Sequence, residues 1–125
     1  VNAQIMAQRA YAQSTTSTRT DRAIEYDLFA RVTHRIKAAA EAGPKAYPQL
    51  VQALYDNRNL WTALAVDVAD PKNKLPTELR AQIFYLSEFV QTHTGKVLAR
   101  KARLAPILEV NAAIMRGLSG RRAKR

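Results

Sequence analysis

Cysteine is absent from this chain. Disulfides, thiolate nucleophiles and cysteine metal sites are excluded with it. A reducing cytosol is compatible with that absence. Histidine occurs only as His34 and His93, on different expected helices and without ligand spacing. That arrangement argues against a metal centre, and no cofactor is implied. The four glycines and five prolines sit at punctuation points, apart from Gly95. No glycine-rich stretch reads as a phosphate cradle, and no serine lies in a nucleophile elbow. No apolar run approaches the ~20 residues that span a bilayer, and the N-terminus lacks a secretory apolar stretch. No Val/Ile/Thr alternation argues for a strand. These absences point away from an enzyme, a membrane-inserted protein and a β fold. A binding protein of the cytoplasm is the expectation that remains.

Acidic residues are scarce at one end. Residues 96–125 carry nine basic groups (Lys96, Arg100, Lys101, Arg103, Arg116, Arg121, Arg122, Lys124, Arg125) against Glu109 alone. The whole chain has a formal charge of +10. A basic end suits an acidic partner, a nucleic acid or a membrane surface. A block of like charges also repels itself, so residues 121–125 read as a disordered, solvated tail. The end shows no helix-turn-helix pattern, zinc finger or set of stacking aromatics. Nucleic-acid binding is therefore expected to be weak and nonspecific at most.

What is present is helical periodicity. The 125 residues, 47% hydrophobic, suit one domain with one core. A short Ala- and Gln-rich helix is expected over residues 2–13. A polar loop follows from Ser14 to Thr20, with Thr18 and Asp21 as a variant capping box. The second helix is expected over residues 21–42, with Ile24, Leu28, Val32 and Ile36 recurring at i+4 and Phe29 beside them. Gly43-Pro44 ends it. Helices over residues 48–69, 76–100 and 106–118 each begin at a proline, whose missing N–H costs little in a first turn. In the last of them Ile107, Val110, Ile114 and Leu118 are expected to point inward. The result is an all-α fold: a single-domain antiparallel bundle of four main helices plus a short N-terminal helix, over residues 1–120.

Two of these helices carry heptad seams. Leu50, Leu54, Asn57, Trp61, Leu64 and Val68 form one; Leu79, Ile83, Leu86, Val90, His93 and Val97 form the other. The short link over residues 71–75 makes them antiparallel neighbours. Asn57, Trp61, Leu86, Val90 and His93 are expected in the core. A buried Asn can fix register at some cost in stability, and Asn57 and His93 fall about one turn apart for a mutual hydrogen bond. Asp67 and Asp70 stand at a helix C-terminus, where the macrodipole disfavours negative charge. Lys72 and Lys74 are the expected compensation.

Both helices also bear apolar residues away from their seams. Val51, Tyr55 and Val66 lie roughly 100–160° from the first seam, and Phe84 roughly 140° from the second. Tyr85 and Phe89 flank the second. A helix with two apolar faces is either central in its bundle or presents one face to a partner.

Several stretches resemble the FlaF family, flagellar biosynthesis regulators of alphaproteobacteria. They are Glu25-Tyr26-Asp27-Leu28-Phe29-Ala30-Arg31-Val32-Thr33, the block Asp56-Asn57-Arg58-Asn59-Leu60-Trp61, the block Ile83-Phe84-Tyr85-Leu86-Ser87-Glu88-Phe89-Val90, and Asn111-Ala112-Ala113-Ile114-Met115-Arg116-Gly117-Leu118. Ala10-Tyr11-Ala12-Gln13 is similar to the family's front. The basic stretch after Leu118 has no counterpart. The resemblance implies a part in flagellin synthesis and secretion, alongside the regulator FlbT, with no catalytic residues to carry over. One implied role is a flagellin-binding chaperone that holds an amphipathic terminal helix of flagellin in a groove. The other is post-transcriptional regulation, acting on flagellin mRNA or its translation, directly or through FlbT. Val51, Tyr55, Val66, Phe84, Tyr85 and Phe89 are the expected partner-binding residues.

Overall fold

The structure is a computed structural model that describes residue 3 and residues 25–123, the last five by their backbone alone. The expected first helix, the polar loop, the Thr18 capping box and Ile24 lie outside the described residues. So do Lys124 and Arg125.

Four α-helices and no strand make up the described chain. Helix α1 covers residues 25–42. A 3-10 turn, Pro44–Ala46, leads into α2, Tyr47–Ala69. Helix α3 is Thr77–Leu98 and α4 is Ala105–Ala123. Gly43 permits the first corner, because its φ of 90° is one that L side chains rarely adopt. The expected boundaries fall close to these, except at the C-terminus. There the helix passes Leu118 and its backbone continues to Ala123.

Contacts fix the antiparallel order. Along α2 and α3, Arg58 meets Gln91, the Trp61 carbonyl accepts from Ser87, and the Val68 carbonyl accepts from Arg80. Partner numbers rise on one helix as they fall on the other. Helix α1 runs back along α2: Phe29 sits edge-on to Trp61, and Arg35 pairs with Asp56 at 2.8 Å. That ion pair is half exposed and worth little.

The inner face of α1 differs from the i+4 reading. Leu28 is exposed, and Phe29, Val32, Thr33 and Ile36 are buried. Repeated i+4 steps drift by about 40° each, whereas an i, i+3, i+4, i+7 set stays within one narrow stripe. Helix α3 shows a similar shift. Ile83, Ser87, Val90 and Thr94 are buried against the bundle. Leu86 and His93 are only half-buried, not core residues in the full sense. They belong to the side turned toward α4, where the His93 Nε2–H donates to the Arg103 carbonyl at 2.8 Å. A carbonyl only accepts, so this nitrogen carries the proton. The expected His93–Asn57 bond is absent: Asn57 Oδ1 accepts from Asn111, and its Nδ2 has no partner among the described groups.

The α2 C-terminus is capped by groups other than the Lys72 and Lys74 ammonium groups. The Asn73 amide donates to the Asp67 carbonyl and carboxylate at 3.1 and 3.3 Å. The Lys72 backbone N–H donates to Asp70 Oδ1. The Arg80 guanidinium, from α3, donates to the Val68 and Asp70 carbonyls at 2.8 and 3.1 Å. A cation on the last carbonyls of a helix satisfies both their lone pairs and the macrodipole. Arg80→Ala is expected to cost about 1–2 kcal/mol, read as a lower urea midpoint with an unchanged slope. An unchanged midpoint would show the cap to be dispensable.

Helix α3 ends in a Schellman motif. The Lys101 N–H reaches the Lys96 carbonyl at 2.8 Å, and the Arg100 N–H reaches Val97 at 3.0 Å. Arg100 holds the left-handed position with φ 62°. Glycine is the usual residue there, so arginine carries a strain of about 1 kcal/mol.

Candidate functional site

The interior centres on a polar hub. Trp61 donates its indole N–H to Asn111 Oδ1 at 2.9 Å. Asn111 donates its amide to Thr33 Oγ1 and to Asn57 Oδ1, both at 2.8 Å. Asn111, Asn57 and Trp61 are fully buried, and Thr33 nearly so. One amide thus ties α1, α2 and α4 together, and Ser87 joins α3 through the Trp61 carbonyl. Phe29 completes the surround, its ring 5.2 Å from the indole at 70°. Asn57 Nδ2 and Thr94 Oγ1 are buried with no hydrogen-bond partner among the described groups.

The hub is a structural centre. It holds no ionisable side chain and no nucleophile beside a base. Among the described residues no group of His, Asp and Glu is placed to hold a metal ion. An open cleft of about 460 Å³ separates the end of α1 from the start of α2. Its walls include Ala38, Ala39, Ala42 and Ala46, with His34, Arg35, Gln49 and Gln52 at the edges. No set of charged groups converges there.

Of the residues expected to bind a partner, Tyr55, Val66, Phe84 and Tyr85 are exposed, at 51%, 68%, 46% and 70%. Val51 is half-buried. Phe89 is also half-buried, its ring stacked on His93 at 5.1 Å and packed against the core. The exposed four divide by geometry. At about 100° per residue, Tyr55, Thr62 and Val66 lie within about 40° of one another on α2. Phe84 lies about 20° from Gln91 on α3 by the same rule. Gln91 spans the two helices, donating to the Arg58 carbonyl and to Thr62 Oγ1. Tyr55 and Val66 therefore flank one side of the α2–α3 seam and Phe84 the other. Tyr85 lies a further step around α3. What reads in the sequence as two competing surfaces is, for these three residues, a single face of the helix pair with the Gln91 bridge between its two sides.

Sequence reasoning passes over Thr33, Ser87, Thr94 and Asn111. Each occupies an inward position of its helix but is polar. Asn111 stands four residues after Ile107 and three before Ile114, a spacing that marks it once polar residues are admitted to the seam.

Helices packed round a buried polar hub, with exposed apolar side chains on both sides of the α2–α3 seam, define a small helical-bundle protein. No helix among the described residues is long and apolar enough to cross a membrane. The chain belongs to the flagellar protein FlaF family, whose model matches residues 7–118. That family is not a known enzyme family. Comparison with curated proteins and with solved structures finds no match.

Proposed function

We propose that this protein is a cytoplasmic flagellin chaperone and regulator, needed for flagellin synthesis and secretion. In this reading an amphipathic terminal helix of flagellin lies along the α2–α3 face. The observation that carries it is the exposure of Tyr55, Val66 and Phe84 on one face, in a chain of a flagellar family. Large exposed aromatic groups give contact area at small entropic cost, which suits anchors. The rise from Tyr55 to Val66 is about 16 Å, or three turns of a bound helix. FlbT is the second partner in this reading.

Titration calorimetry of flagellin's C-terminal segment into the full chain tests the assignment. Tyr55→Ala and Phe84→Ala are each expected to weaken binding by about 2 kcal/mol, near thirtyfold, with helical circular dichroism unchanged. If folded variants bind as the unaltered chain does, this face is not the flagellin site.

A further inference from the structure

The fold gathers cations at one end of the bundle. Residues 42–55 and 89–108 carry Lys45, Lys96, Arg100, Lys101 and Arg103, with acidic residues only at their borders, Glu41, Asp56, Glu88 and Glu109. All five are exposed. None takes part in an ion pair among the described residues. Lys45 is far from the others in sequence, and a ring contact brings its turn to them. The Arg100 guanidinium lies over the Tyr47 ring, 5.3 Å from its centroid. Tyr47 opens α2 directly after the turn that holds Lys45, while Arg100 closes α3. The basic end therefore has the aromatic group that reading the C-terminal third alone does not find.

We propose that this end binds single-stranded RNA, its cations along the phosphates and Tyr47 with Arg100 as a stacking platform for a base. The chemistry favours this over other polyanions. Exposed cations around a partly exposed ring and a planar guanidinium are what sequence-tolerant single-strand binding uses. A membrane surface would call for a wedge of clustered apolar side chains, yet Tyr47 is the exposed ring in contact with these cations, and the next, Tyr55, stands about two turns further along α2. An acidic peptide would be held by the cations but gain little from the ring. The arrangement is also preorganised. The Schellman bonds fix Arg100 and Lys101, and the His93 bond to the Arg103 carbonyl pins the link that bears them. This site is separate from the α2–α3 face and does not depend on flagellin docking there.

Fluorescence anisotropy with a labelled oligouridine RNA and the full chain tests the proposal. Arg100→Gly with Lys101→Ala and Arg103→Ala removes three cations while leaving the left-handed corner to glycine, so folding is not the obstacle. That variant is expected to weaken binding about tenfold or more at low salt, with a salt slope shallower by about 2. Tyr47→Ala is expected to weaken it about fivefold or more, and Tyr47→Phe to retain it. Alanine at Arg121, Arg122, Lys124 and Arg125 is expected to change it by only about twofold, since that stretch has no ring on which a base could stack. Flagellin binding of all these variants is expected to stay unchanged, which keeps the two sites distinguishable. Several results overturn the proposal: no RNA binding, loss through the tail variant alone, indifference to Tyr47→Ala, or equal binding of polyglutamate or anionic vesicles through the same residues.

Discussion

Trp61→Ala is expected to lower the unfolding free energy by about 3–5 kcal/mol. Three separate contributions meet in this side chain. The indole is wholly buried, so its removal opens a large cavity among Phe29, Leu54 and Leu64, which belong to the same core cluster. The edge-on contact with Phe29 goes with it, worth about 0.5–1.5 kcal/mol beyond area. Asn111 Oδ1 also loses its donor inside the core. A domain of this size has a stability of roughly 5–15 kcal/mol, so the loss takes a large share of it. Chemical denaturation followed by circular dichroism reads the change. Trp61→Phe separates the parts, since it keeps a ring and removes only the N–H and some volume. A cost below about 1 kcal/mol for the alanine variant would show that the indole is not a core anchor.

The fold was legible in the sequence wherever one physical signal dominated. Prolines and Gly43-Pro44 marked the corners, because a proline N–H and a left-handed φ have few alternatives. The α2 seam was readable, since Leu54, Trp61, Leu64 and Val68 are apolar and evenly spaced. Leu28 and Phe29 show the limit of that signal. Both are large and apolar, and a rotation of about 100° decides which is inside. The deciding feature is Thr33, which joins the inner stripe because Asn111 needs an acceptor there. That requirement arises from a residue 78 positions away in the chain and has no local trace. The pairing of Tyr47 with Arg100 is hidden for the same reason. It follows from the antiparallel order of α2 and α3, which places the start of one beside the end of the other. The exposure of Tyr55, Val66 and Phe84 was legible as off-seam placement. Their union across Gln91 was not, because it depends on the rotation of both helices about the seam.

Asn111→Leu is expected to cost about 3–5 kcal/mol, although leucine is of similar size and more apolar. The reason is that the amide serves three buried groups at once. Without it the Trp61 N–H has no acceptor, while Thr33 Oγ1 and Asn57 Oδ1 lose their donor. Each orphaned group costs about 1–3 kcal/mol, partly relieved because the Thr33 hydroxyl can turn to another acceptor. Asn57 has the least room to adapt, since its Nδ2 already lacks a partner among the described groups. Apolar volume does not replace these bonds while the polar partners stay in place. A cycle with Trp61→Phe makes the claim quantitative. If the indole N–H and the amide act as a pair, the double variant is less destabilised than the two single changes summed, by about 1 kcal/mol or more. Additive costs would mean that the hub fills space only. Asn111→Leu with Asn57→Leu and Thr33→Val removes the stranded polar atoms together, and is expected to recover part of the stability lost by Asn111→Leu alone. It would also test whether the hub selects one arrangement of the helices. If it does, the stabilised triple variant shows broader amide resonances and weaker flagellin binding, because the α2–α3 face no longer has one fixed shape. Sharp resonances with unchanged binding would show that apolar packing alone sets the bundle's geometry.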